Sequence, residues 1–295
     1  MTPQPIPLRS RAEGLAAHLP PLLAEAQHLA ASVILGEHGR RRPGLGDAFW
    51  QYRPAIQGDS ARAIDWRRSA RSDQHFVQEK EWQATQTVMF WVDRAMSMQF
   101  SSAADVPRKA DRAAVLALAA AVLLVRGGER VGLTNMSGAP QAGRLQLDRL
   151  ARALEAENHA EDSAEYGTPD ANLLPAHARA VFISDFMGDM AGVRSALTKA
   201  ADRGVKGVLM QVLDPVEEAF PFQGRMIFES MKATLRHESR MAGALRDQYQ
   251  ERLGARKDAL WSLAQSVGWQ YHCHHTDDTP APAFLWLYHA LERPR

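Results

Sequence analysis

Thr87-Val88-Met89-Phe90-Trp91-Val92-Asp93-Arg94-Ala95-Met96-Ser97-Met98 is the stretch that decides the fold. The apolar run in it is too short for a stable helix and is rich in β-branched and aromatic residues, so 87–93 reads as a strand. Its large apolar residues occupy both alternating sets of positions, which a strand tolerates only when both faces are covered. Such a strand sits inside a mostly parallel sheet, and this one ends on a carboxylate followed by a short loop. In open parallel sheets that is the end where ligands bind.

The same pattern continues downstream. A helix is expected over 106–125, whose uncharged core, 113–125, spans 13 residues between Arg112 and Arg126. That is short of the roughly 20 residues a bilayer-crossing helix needs, so the segment reads as a buried core helix. Strands are expected at 130–135, 180–184, 205–213 and 269–274, with helical segments at 189–203 and 240–267. This alternation predicts an α/β domain over residues 81–295, a doubly wound, mostly parallel sheet with helices on both faces. Upstream, 22–35 has helical apolar spacing, and Gly36, Gly39, Gly44, Gly46 and Gly58 then break the chain into short strands and turns. Residues 1–80 are therefore read as an N-terminal helix and an Arg-rich wrapping segment, part irregular and part β.

Composition narrows the function. The 295 residues carry 35 basic and 34 acidic side chains, a net charge of +1, so no global field draws the chain to nucleic acid or an anionic membrane. Cys273 is the only cysteine, which excludes an intrachain disulfide framework and fits a reducing compartment. The opening residues Met1-Thr2-Pro3-Gln4-Pro5 show no basic segment leading into an apolar one. A cytoplasmic location, without membrane insertion, is expected.

Between His38 and Arg71 stand eight Arg (40, 41, 42, 53, 62, 67, 68 and 71) against three Asp (47, 59 and 65). A basic stretch of this kind can bind phosphate backbones. The Asp residues fall among the Arg at turn-like positions, however, and Trp50 and Trp66 read as anchors of a packed subdomain. Arg–carboxylate pairing among Arg53, Asp59, Arg62 and Asp65 is therefore the preferred reading, and nucleic acid is not the expected partner. Arg53, Gly58, Asp59, Arg62, Ile64, Asp65 and Trp66 together match the most diagnostic stretch of a bacterial family, domain of unknown function 58, which the chain resembles over residues 30–215.

The resemblance implies a von Willebrand factor A-like fold over the second half and no enzymatic activity. It implies a protein–protein interaction module, an adaptor or scaffold, with a MoxR-type AAA+ ATPase as partner, because members are commonly encoded beside such ATPases. It also implies a metal-ion-dependent adhesion site, in which Asp-x-Ser-x-Ser, a Thr and a second Asp hold Mg²⁺ through oxygens. Asp93, Ser97, Thr168 and Asp185 fall at those positions, and Ala95 replaces a ligand Ser. A methyl cannot coordinate a hard cation, so the expected site is degenerate: water fills the gap around Mg²⁺, or Asp93 and Asp185 merely cap loops and helix starts.

The rival class is a metal-dependent hydrolase or nuclease using Asp93 and Asp185 with the basic patch. Two-metal hydrolysis needs several carboxylates within about 4 Å of paired ions, and two stand at this sheet edge. His272, Cys273, His274 and His275 suggest soft-metal ligands, but a strand sends Cys273 to the face opposite His272 and His274. An exposed strand end is the preferred reading there. Ser184 lacks the Gly-x-Ser-x-Gly turn of a nucleophile, and Met187, Met190, Met210, Met226 and Met231 are taken as core fillers.

Overall fold

The computed structural model describes residues 21–32, 43–44, 48–56, 59–72, 74–81, 85–156, 164–232 and 236–292. Its contacts divide the chain into two compact units, residues 35–85 and the combination of 1–34 with 86–295. Helix α1 (Pro21–Ser32) thus belongs with the larger unit, not with the Arg-rich segment as expected. Leu23, Ala26, Leu29 and Ala30 form a helical stripe that needs an apolar partner, and they are buried in the α/β core.

The smaller unit is a three-stranded antiparallel sheet of β1 (Pro43–Gly44), β2 (Ala48–Pro54) and β3 (Phe76–Glu81), in the order β1-β3-β2. Between β2 and β3 lie a 3-10 turn, Ala61–Ala63, and a single helical turn, α2 (Trp66–Ser69). Ile64 bridges to Val77 and ties that excursion to β3.

The larger unit is built on β4 (Thr87–Val92), α3 (Lys109–Arg126), β5 (Arg130–Leu133), α4 (Arg144–Ala156), β6 (Arg179–Ser184), α5 (Met190–Asp202) and β7 (Lys206–Leu213). After these come α6 (Pro215–Ala219), the hairpin β8 (Met226–Glu229) and β9 (Arg236–Ser239), α7 (Arg246–Ser266), β10 (Gln270–His275) and α8 (Pro280–Glu292). Five strands form a parallel sheet in the order β10-β7-β6-β4-β5. Val88, Phe90 and Val92 face a core shared with α1, α3, α4 and α8, while Met89 and Trp91 face a second core with α5 and α7. All five are buried, so the interior strand and the two-faced sheet are as the sequence predicts.

The chain leaves β4 toward β5 on one side and later returns to β6 on the other, which puts the topological switch point between β4 and β6. Their C-terminal ends carry Asp93 and Asp185. No helix among the described residues is long and apolar enough to cross a membrane. Two local readings are corrected. His274 is buried at 3% exposure, because its strand lies under α8 rather than ending in solvent. Met231 is 41% exposed beyond the β8 end and fills no core.

Candidate functional site

Asp93 and Asp185 are held by opposite neighbours of the switch point, and both are almost wholly buried. Asp93 Oδ1 accepts the Ala95 N–H at 2.8 Å, and its carboxylate also accepts the Gly167 N–H. Its Oδ2 accepts the Ser184 hydroxyl at 2.6 Å. A Cβ built on Gly167 would overlap this carboxylate, which explains a glycine there. Burial, and then the nearby charge of Asp185, push the Asp93 carboxyl up to about 6.

Asp185 follows β6, in a loop where Phe186 adopts a left-handed backbone (φ 50°) unusual for a large side chain. Asp185 Oδ1 accepts the Met187 N–H at 3.0 Å, and its own N–H points at Met98 Sδ at 3.2 Å. Its Oδ2 accepts from an ammonium, Lys109 Nζ, at 2.9 Å. Lys109 stands in the first turn of α3 with its side chain 1% exposed, and it donates to Glu217 Oε1 at 2.6 Å as well.

Burial opposes the Lys109 charge, but Asp185 and Glu217 outweigh it and hold its pKa above the ordinary lysine value. Burial likewise raises Glu217, against the pull of Lys109. Glu217 is positioned by a capping box: Asp214 caps α6 through Val216 N–H, and Glu217 returns a bond to Asp214 N–H. Asp214 Oδ2 also accepts the Ser102 N–H, which ties the segment after Ser97 to the same corner.

The remaining expected ligands sit differently. Ser97 is 8% exposed and its hydroxyl has no hydrogen-bond partner among the described residues. Its backbone N–H binds Glu165 O at 2.9 Å, so the loop before Gly167 lies alongside it. Thr168 is exposed, with its methyl against Gly192, where a Cβ would meet it at 2.6 Å. Among the described residues the Thr168 hydroxyl makes no hydrogen bond to either carboxylate. The structure therefore brings Asp93, Ser97 and Asp185 to one edge, and it adds Lys109 and Glu217, which the sequence reading missed.

The signal for Lys109 was present: a cation in a helix's first turn opposes the helix dipole, so something else must hold it there. Glu217 was legible too, in the capping pattern Asp214-Pro215-Val216-Glu217. No group of three or more His, Cys, Asp or Glu among the described residues is arranged to hold a metal.

Around this buried centre the surface is mixed. Glu165 accepts the backbone N–H groups of Met231 and Lys232, both at 3.0 Å, and so fixes the end of the β8 strand beside the loop. Tyr166 and Met231 are 38% and 41% exposed on that edge.

In the smaller unit the expected network forms in part. Arg53 grips Asp59 with both guanidinium nitrogens at 2.7 and 2.6 Å, and Ile56 N–H adds a third bond at 2.8 Å. These hold the Asp59 carboxyl down at about 2. Asp65 instead caps α2 through Arg68 N–H and accepts the Tyr52 hydroxyl at 2.9 Å, while Arg62 forms no ion pair among the described residues. The four-residue network is thus corrected to one bidentate pair and one cap: the 61–63 turn directs Arg62 to solvent. Trp66 is 58% exposed and meets His75 edge-on at 5.5 Å, so it is no buried anchor. Gly58 and the Trp50 side chain lie outside the described residues.

The model of the family "Protein of unknown function DUF58" matches residues 51–259. Uncharacterized proteins of Mycobacterium tuberculosis and Mycobacterium bovis are 28% identical over 248 residues, covering 80% of this chain and 76% of theirs. Among solved structures, an aerotolerance-related membrane protein from Bacteroides fragilis, bearing multiple mutations to serines, is 16% identical with a TM-score of 0.42. It covers 70% of this chain and 98% of its own. The conserved hypothetical protein BatB from Bacteroides thetaiotaomicron is 14% identical with a TM-score of 0.40, covering 70% of this chain and 97% of its own.

Proposed function

The chain belongs to the DUF58 family, and from that premise we propose that it is a non-enzymatic protein–protein interaction module of von Willebrand factor A-like fold. Its degenerate adhesion site is one in which a lysine does the work of the cation. The observation that carries the reading is the Lys109 ammonium, buried between Asp185 and Glu217 beside the switch point. A metal at such an edge neutralises the carboxylates and fixes the loops. Lys109 does both from within the chain, without an open coordination position for a partner's carboxylate or for a nucleophilic water. That weighs against the hydrolase reading, which needs an accessible ion.

The partner-facing surface is then the exposed rim over the buried centre, Tyr166, Thr168 and Met231, and the partner implied by the family resemblance is a MoxR-type AAA+ ATPase. The test is co-purification of that ATPase with the tagged chain from its native host, in EDTA and in Mg²⁺. Association equal in both conditions, and lost in Tyr166→Arg and Met231→Arg chains of native melting temperature, is expected. Association that requires Mg²⁺, or that survives both substitutions, refutes the reading.

A further inference from the structure

The smaller unit carries a feature that the proposed adaptor role does not use. Tyr52, Asp65, Arg67, Arg68, Arg71 and Phe76 line, with Ser72, an open cleft of about 540 Å³. Among the described residues its lining carries three guanidinium groups against one carboxylate. That carboxylate is already engaged: Asp65 Oδ2 takes the Tyr52 hydroxyl and Oδ1 takes the Arg68 N–H, so it does not grip a guanidinium.

Arg68 lies over two aromatic rings. Its guanidinium carbon lies 4.3 Å from the Tyr52 ring centre and 5.3 Å from that of Phe76. A cation–π contact of this kind engages no carboxylate, so donors of the guanidinium fork are left for an oxyanion. Among the described residues no carboxylate pairs with the side chain of Arg67, Arg68 or Arg71.

We propose that this cleft is a binding site for a phosphate dianion, the group shared by a phosphate monoester and the free ion. The excess of two positive charges is matched by a dianion, and arginine forks suit its oxygens. A nucleic-acid phosphodiester is a monoanion that binds through base stacking as well, and here Arg68 already covers one face of each ring. The same Asp65 that caps α2 positions the site, since its bonds to Tyr52 and to the Arg68 backbone fix the ring and the guanidinium relative to each other.

The test is calorimetric titration of the full-length chain with inorganic phosphate, O-phosphoserine and a single-stranded oligodeoxynucleotide. Saturable binding of the phosphate probes near pH 7.5 is expected, weakened about tenfold or more in Arg67→Ala and in Arg71→Ala. Arg126→Ala, an exposed arginine on α3, leaves it unchanged. Tighter binding of O-phosphoserine identifies an organic ester as the source, and equal or tighter binding of inorganic phosphate identifies the free ion. Binding weakens near pH 5.5, because a phosphate monoester takes up its second proton around pH 6. Tyr52, raised above its ordinary value, and Asp65, lowered below its own, do not change charge in that interval. His75 does not line the cleft. Absence of saturable phosphate binding, indifference to both Arg→Ala changes, or Arg-dependent binding of the oligonucleotide alone overturns the proposal.

Discussion

Replacing Lys109 with Met keeps most of the side chain's length and apolar stem and removes only the ammonium. In the native chain that ammonium sits 2.9 Å from Asp185 and 2.6 Å from Glu217, whose side chains are 1% and 21% exposed. Breaking a buried pair by deleting one partner costs about 3–5 kcal/mol, because the other charge is stranded. The upper part of that range applies here, since two carboxylates lose their cation and Asp185 has no access to water. At about 2–4 °C per kcal/mol for a unit of this size, about 4–5 kcal/mol lowers the melting temperature by roughly 8–20 °C near neutral pH.

The sign with pH is also fixed. Burial already raises the Glu217 carboxyl, and without Lys109 nothing opposes it, so the deficit is largest at neutral pH and shrinks as acid neutralises that group. In the native chain the raised Lys109 contributes stability that is complete below the unfolded lysine value and is lost only as pH rises through its higher folded value. Thermal melts of Lys109→Met from about pH 5 to pH 8, monitored by circular dichroism, read both effects. A melting temperature equal to the native one at neutral pH would refute a buried, doubly paired Lys109.

Three further outcomes follow from the same geometry. Asp93→Asn sheds a charge that burial disfavours and keeps one acceptor oxygen, while the Ser184 hydroxyl has to turn from donating to accepting to meet the new amide N–H. It should stabilise the fold above about pH 6 by at most about 3 kcal/mol and have little effect below pH 3.8, the raised native carboxyl being the source of the difference; pH-dependent chemical denaturation reads it. Gly167→Ala forces a methyl into the Asp93 carboxylate, which Ser184 and Ala95 hold in place. A loss of about 1–3 kcal/mol is expected by denaturant titration, the usual cost of overpacking. In the smaller unit, the Asp59 carboxyl should titrate near 2 by NMR and return toward the ordinary value in Arg53→Gln. Its contribution to stability is present above 3.8 and lost as pH falls through about 2.

Strand β4 and helix α3 were legible because burial on both sides leaves no polar period to confuse with an amphipathic element. Helix α4 was missed although Leu147, Leu150, Ala151 and Leu154 carry its buried stripe, because its charged remainder reads as a solvated loop. The prolines at 280 and 282 hid α8, where they fall in the first turn, the one part of a helix that tolerates them. Asp93 and Asp185 were found from their places at strand ends. Lys109 offered only the clue of a cation in a helix's first turn, because its partners lie 76 and 108 positions away and no local pattern names them. The Asp65 cap was likewise read as an ion pair: Arg62 is near it in sequence, yet the 61–63 turn separates the two side chains.

Mg²⁺ calorimetry on four chains puts the lysine's role to direct test: native, Ala95→Ser, Lys109→Met, and the double variant. With Lys109 in the cation's place, the native chain and Ala95→Ser give no saturable heat. The double variant gains binding, since an oxygen ligand is restored and the competing ammonium is gone. Saturable Mg²⁺ binding by the native chain that Asp93→Ala abolishes would contradict this, and would show instead that the metal and the lysine occupy the edge together.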